Sequence, residues 1–417
     1  MVVAIANSCL WTACAVFASG AMLCACSTIA RFPASESPIL YEAAGVPGSI
    51  RFWGDERPPD FDRLLREIYA QRRRTRPNTP NSINYLALSG GGADGAFGAG
   101  LLVGWSDAGT RPEFDVVTGS STGALIAPFA FLGPTYDGAL KDAYTTHEAW
   151  TIAQRGSLAT IIGNAALAYN SQLVSLVDQY VSPAVLEAVA REHRRGRRLY
   201  IGTTQLDAQR PVMWDMGAIA VRGDESALKL FRQVLIASTS VPGVFPPVLI
   251  SVQRDGSTYD EMHVDAGVTR EVFLFPGLLN LGNDSLNPTV RRLFVIRNAK
   301  LGPEWEAVEP DLLKIGRRSV STLIKNQGWG DLDRIYLQAR ASRIAFNLAS
   351  IPQSFDAKEP EPLDVGYRKL LFDTGYRLAR NGYSWKKLPP DVSPAATPRP
   401  KNLQKLSSLY RAQFSKR

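Results

Sequence analysis

The stretch "LALSGGGADGAFGAG", residues 86–100, carries six glycines in fifteen positions directly after a short apolar run. Two chemistries compete for it. Gly90, Gly92 and Gly95 satisfy G-x-G-x-x-G, and Glu113 and Asp115 follow about 20 positions on, as in a dinucleotide-binding unit. Alternatively, the loop offers its backbone N–H groups to a developing oxyanion. The next segment discriminates between them. "FDVVTGSSTGALIAPFAFLG" (114–133) repeats the first plan: β-branched strand, sharp Gly/Ser turn, apolar helix. In a dinucleotide fold the acidic residue ends the second strand, where it reaches the ribose. Here Asp115 precedes its strand, and that strand runs into a serine turn. The glycine loop and the serine turn therefore end two strands of one expected sheet. The loop reads as an oxyanion hole.

Within "TGSSTGAL", Gly119, Ser121 and Gly123 form G-x-S-x-G. A nucleophilic serine at a strand-to-helix turn needs this composition, because flanking glycines let the backbone turn without Cβ clashes. The helix dipole there favours developing negative charge. The spacing selects Ser121, while Ser120 packs or hydrogen-bonds locally. The histidines are His147, His193 and His263. The Ser…Asp/Glu…His order of an α/β-hydrolase leaves only His263 as a base. It lies two residues before "DAG" in a strand-like stretch and reads as a structural or surface residue.

These residues resemble the patatin-like phospholipases, whose plan is a glycine-rich oxyanion loop, a G-x-S-x-G serine and an aspartate in D-G-[GA]. The counterparts are Gly90-Gly91-Gly92, Ser121, and Asp265 in "VDAG", with Gly95, Gly119, Gly123 and Gly267 as supporting motif positions. "ASTSVPGVFPPV" (237–248) and "GTTQLDAQRPV" (202–212) also look like family segments. The resemblance covers residues 83–270, with weaker similarity to about 386. It implies a three-layer α/β fold, with a largely parallel central sheet flanked by helices. It also implies a Ser–Asp dyad of Ser121 and Asp265 acting on membrane lipid esters, without cofactor or metal. Two departures stand out: Ala266 replaces the commoner glycine after the aspartate, and Asp94 replaces a basic residue in the loop. Asp207, in "TTQLD", reads as a turn carboxylate rather than a second base.

The rest of the chain frames this site. All four cysteines (Cys9, Cys14, Cys24, Cys26) fall in the first 26 residues, which excludes a disulfide framework for the body. No charge precedes Arg31, and "LCAC" (23–26) resembles a lipobox with Cys26 as the lipidated residue, although a basic n-region is missing. An uncleaved anchor is the competing reading, since about 20 apolar residues span a bilayer. The lipoprotein reading places the protein on the periplasmic side of a bacterial envelope membrane. The expected organisation is a signal segment (1–26), a tether with an amphipathic helix (27–80), a catalytic domain (81–386) and a Pro-rich, basic tail (387–417). Net charge is +8, and "QRRRTR" (71–76) with "REHRRGRR" (191–198) supply nine arginines. Without interleaved aromatics these runs do not suit nucleic acid, and they read as solvated, with attraction to a membrane surface as their functional reading. The rival functions are a carboxylesterase for soluble esters, a nucleotide-dependent oxidoreductase and a non-catalytic scaffold at the membrane.

Overall fold

The computed structural model describes residues 31–34, 40–58, 60–77, 82–146, 166–242, 244–274, 290–360, 363–390 and 392. Cys26 and the other cysteines, His147 and residues 393–417 lie outside the described residues. The strands are β1 Glu42–Ala43, β2 Arg51–Trp53, β3 Ser82–Leu88, β4 Val116–Gly119, β5 Arg198–Gln205, β6 Arg210–Asp215, β7 Val248–Arg254, β8 Ser257–Val264, β9 Val290–Lys300 and β10 Ala345–Ile351. The helices are α1 Phe61–Thr75, α2 Gly95–Asp107, α3 Thr122–Leu132, α4 Asp137–Thr145, α5 Ala166–Tyr180, α6 Pro183–Arg194, α7 Met216–Arg222, α8 Glu225–Ser238, α9 Leu312–Ala341 and α10 Val365–Arg380.

All these strands join one sheet in the order β1-β7-β8-β5-β4-β3-β9-β10, with β6 pairing β5 and β2. The centre, β5-β4-β3-β9-β10, is parallel throughout, and the remaining pairs are antiparallel. Strand β3 shows why the sheet is covered on both faces. Leu86 and Leu88 enter one apolar cluster with α2, α3, α6, α8 and α10, while Ile83, Tyr85 and Ala87 enter a second with α1 and α9. A side-chain period of two assigns alternate residues to opposite faces, so a strand buried on both is apolar nearly throughout. The buried exception in β3, Asn84, donates its amide to Glu113 O at 3.1 Å. This is the three-layer α/β architecture expected.

The glycines of α2 have a packing role. A Cβ at Gly100 would lie 2.0 Å from the carbonyl oxygen of Phe372, and one at Gly104 would lie 2.2 Å from that of Tyr376. A Cβ at Gly375 of α10 would in turn lie 2.3 Å from the Phe97 carbonyl. The two helices touch backbone to backbone, and substitution at any of these positions forces them apart.

Two sequence expectations differ from the structure. Within the expected tether, residues 40–58 pack into the sheet through β1 and β2, with Tyr41, Val46, Ile50 and Trp53 buried. Their apolar side chains are too sparse to show a strand period, but each finds a place against β6, β7 or the core. The basic runs are also not simply solvated. Arg197 is buried, donates to Phe114 O, Phe131 O and Glu192, and stacks 4.4 Å over Phe131. Arg198 is buried beside Gln71 and Asp215, and Arg72 and Arg76 both pair with Asp115. Fixed partners, most of them from distant segments, absorb the charge of these four arginines, while Arg73, Arg74, Arg191 and Arg194 are exposed.

Candidate active site

Strand β4 delivers the serine turn to the end of the sheet where β3 delivers the glycine loop, since the two run parallel with Leu88 opposite Gly119. Ser121 sits at φ 52°, ψ −127°, outside the regions a β-carbon readily permits, and caps α3. Its neighbours make the turn possible. A Cβ at Gly119 would lie 2.5 Å from Gly123 O, and one at Gly123 would lie 2.5 Å from Leu88 O. The Ser121 N–H is held by Ser238 Oγ at 3.1 Å, at the end of α8. Ser120 points elsewhere: its Oγ donates to Arg270 O at 2.8 Å.

Asp265 follows β8 and is buried. Its N–H donates to Ser240 O at 2.9 Å, and its Oδ1 accepts from Gly267 N at 2.6 Å. Oδ2 is buried with no hydrogen-bond partner among the described residues. Burial pushes this carboxyl up to about 7, against the Ser121 hydroxyl and the Gly267 N–H, which favour its charged form. Ala266 opens a 3-10 turn and is not among the positive-φ residues, so alanine fits where the family more often has glycine.

The glycine loop lies against the serine. A Cβ at Gly90 would be 3.0 Å from Ser121 Cβ, and one at Gly91, where φ is 152°, would be 2.2 Å from Asn298 O. The three loop glycines are not equivalent donors. Gly90 N–H is taken by Glu271 O at 3.1 Å, whereas Gly91 and Gly92 N–H have no partner among the described residues. Thr122 N–H, the first of α3, likewise has no partner within its helix. Glycine is required at Gly95 too, since a Cβ there would lie 2.3 Å from Thr122 Oγ1. Asp94 turns its Oδ1 to the Tyr367 hydroxyl at 2.6 Å, and burial pushes its carboxyl up to about 7 against that hydrogen bond.

The competing readings can be placed on the same frame. Asp115 lies at the opposite end of β4 from the glycine loop, pairs with Arg72 and Arg76, and accepts from Asn84 N at 2.9 Å. It cannot reach a ribose held at that loop, so a dinucleotide site is not formed here. His263 is fully buried, with Nδ1 2.9 Å from Thr203 Oγ1 and Nε2 3.1 Å from Glu261 Oε2. Both ring nitrogens are engaged away from the serine, and burial holds its pKa below the usual imidazole value. His193 lies 3.4 Å from Asp215. Asp207 pairs with Arg31 at 2.5 Å.

Three contributors went unread in the sequence: Ser238, Glu271 and Asn298. Ser238 lies in a segment already singled out, but nothing in its spacing marks a bond to Ser121. Glu271 and Asn298 act through one backbone oxygen and one amide, which leave no pattern.

The parallel centre of the sheet thus ends in a strained serine turn and a glycine loop, with a buried carboxyl alongside. Residues 86–276, a little under half of the chain, match the model of the patatin-like phospholipases, which supports a lipid acyl hydrolase. Among solved structures, VipD from Legionella pneumophila is similar at 11% identity and a TM-score of 0.32, over 73% of this chain and 67% of that one. The type III effector ExoU is similar at 14% and 0.27, over 72% and 53%. Human GIVD cytosolic phospholipase A2 is similar at 10% and 0.30, over 81% and 56%. No curated protein matches the chain.

Proposed function

We propose that this chain hydrolyses fatty-acyl esters of membrane lipids, with Ser121 as nucleophile and Asp265 as its base. The observation that carries this reading is the pairing of a strained Ser121 with a buried Asp265 whose Oδ2 is uncommitted and whose carboxyl titrates near neutrality. Ser121 Oγ attacks the ester carbonyl as Asp265 accepts its proton. The oxyanion is received by Gly91 and Gly92 N–H, with Thr122 N–H as the donor that follows the nucleophile. Collapse of the intermediate expels the alcohol, which takes the proton from Asp265. Water, deprotonated by the same carboxylate, then releases the fatty acid. Gly90 serves by its missing side chain rather than its N–H.

The surroundings favour an aggregated lipid over a soluble ester. Val268, whose N–H bonds Asp265 O, is 40% exposed, and Val244, three residues beyond the Val241 carbonyl it bonds, is 54% exposed. Leu323 is 69% exposed, and its neighbour Ile324 lies 3.9 Å from where a Cβ on Gly267 would stand. Val268 thus sets an exposed apolar side chain three residues from the aspartate, as contact with a lipid surface would require. Lipidation of Cys26 would keep the domain beside that surface.

Fluorophosphonate labelling of the purified chain, followed by profiling on phospholipid vesicles and short soluble esters, tests the reading. We expect Ser121 to be labelled and vesicle lipids to be cleaved. Absence of label would sink the serine mechanism, and cleavage of short esters alone would make the protein a carboxylesterase.

A further inference from the structure

We propose that Asn298 is the positioning residue that holds the glycine loop in oxyanion-binding geometry. The inference rests on the acyl-hydrolase reading above and adds a residue to its machinery. Asn298 lies near the end of β9, beside the loop, and is fully buried. Its amide Nδ2 donates to Ser89 O at 2.9 Å, and its backbone N–H donates to Ser89 Oγ at 2.8 Å. Its Oδ1 accepts from Gly98 N at 3.1 Å. One side chain therefore grips the residue before Gly90 and a residue in the first turn of α2. Between these two anchors lie Gly91 and Gly92, whose N–H groups are the free donors of the loop. The backbone of Asn298 closes the arrangement, because its carbonyl oxygen occupies the space that a side chain on Gly91 would need.

The chemistry demands such a fixture. Glycine is the most mobile backbone residue, and three in succession lose much conformational freedom when ordered. Oxyanion donors accelerate a reaction only if they already point where charge develops. The bonds of Ser89 N–H to Ile296 O and of Gly90 N–H to Glu271 O fix one side of it; Asn298 fixes both ends at once. Only an amide supplies a donor and an acceptor in this geometry. An aspartate of the same shape keeps the acceptor for Gly98 and, when ionised, loses the donor to Ser89.

The role is that of a positioning residue, so its signature is a fall in kcat with KM preserved. Asn347 provides the control. It is also a buried asparagine, on the adjoining strand β10, and its Nδ2 donates to Leu293 O at 3.0 Å, away from the loop. The experiment measures kcat, KM, the rate of fluorophosphonate labelling and the melting temperature of Asn298→Asp, Asn298→Ala and Asn347→Ala. We expect both Asn298 variants to lose about 10- to 100-fold in kcat and in labelling rate, with KM within about threefold, while Asn347→Ala melts lower but keeps its kcat. Retention of kcat in either folded Asn298 variant overturns the proposal, as does an equal kcat loss in Asn347→Ala. Unfolding of both Asn298 variants beside a folded Asn347→Ala would assign Asn298 to the fold alone, and would overturn it as well. An unlabelled wild-type chain would instead overturn the serine mechanism itself.

Discussion

Gly90 approaches Ser121 so closely that a methyl group on the glycine would stand 3.0 Å from the serine Cβ and 3.6 Å from its Oγ. The loop and Ser121 share one wall, and neither can be redesigned alone. Gly90→Ala keeps an allowed backbone, because Gly90 is not among the positive-φ glycines. The added methyl must therefore be accommodated by a few tenths of an ångström of displacement at Ser121. We expect kcat to fall about 10- to 100-fold, or about 1.4–2.7 kcal/mol in barrier, with little change in melting temperature. Steady-state kinetics alongside thermal melts check this, and unchanged kcat would show that the serine tolerates the shift.

Adjacent serines separate by role. Ser121→Ala removes the proposed nucleophile from a strained turn and should abolish turnover and fluorophosphonate labelling. Ser120→Ala removes one buried hydrogen bond to Arg270 O, worth about 1 kcal/mol, and should keep substantial activity. Mass spectrometry of the labelled peptide decides between them. Label on Ser120 would overturn the assignment.

What the sequence revealed and what it hid divide along physical lines. The apolar end of β3 (Tyr85–Leu88) and the small-residue turn at Ser121 are local patterns, and both were legible. Gly90 could not be told from Gly91 and Gly92, because the acceptor that occupies its N–H is Glu271 O, from a segment far along the chain. The arginines of "REHRRGRR" looked solvated for the same reason: the carbonyls of Phe114 and Phe131 that receive Arg197 are set by tertiary packing. Charge type is written in the sequence, but its neutralising partner is not. Helix α9 and strand β10, which complete the second layer and the sheet edge, carry no motif to announce them.

His263 separates a triad from a dyad. Its substitution by glutamine leaves Thr203 and Glu261 imperfectly paired in the core, where hydrogen bonds from His263 and Arg51 outweigh burial and hold the Glu261 carboxyl down at about 2. We expect His263→Gln to cost about 1–3 kcal/mol of stability and to retain most of the kcat of the folded fraction. Denaturant unfolding and active-site titration give both numbers. A kcat loss as large as that of Asp265→Asn would restore the histidine as base.

The proposed lipidation of Cys26 can be tested by a single substitution. Only a thiol accepts a diacylglyceryl group, so Cys26→Ser should release the protein from the membrane fraction in high salt. An uncleaved apolar anchor would ignore so small a change in hydrophobicity. Fractionation with mass spectrometry of the N-terminus distinguishes the two. A mutant that stays embedded, with residues 1–25 retained in the wild type, would remove the lipoprotein assignment and leave the catalytic reading intact.

Asp265 couples activity and stability in opposite directions. Its carboxyl is raised from 3.8 to about 7, so the folded chain binds a proton there that the unfolded chain has already released. Between these values the folded state loses stability as pH rises, and above about 7 the loss is complete. Asp94 and Glu271, also pushed up to about 7 by burial, add to the same slope. The base must be ionised to accept the serine proton, so kcat/KM should climb through about pH 7 over the range in which the fold weakens. Asp265→Asn removes the ionisation while keeping an oxygen for Gly267 N–H. The variant should be inactive, and its melting advantage over the wild type should grow between about pH 5 and about pH 8. Thermal melts at both values, with a pH–rate profile of the wild type, test the coupling. A melting difference equal at both values, or a flat profile between about pH 6 and 8, would show that Asp265 titrates as an ordinary carboxylate and cannot be the base.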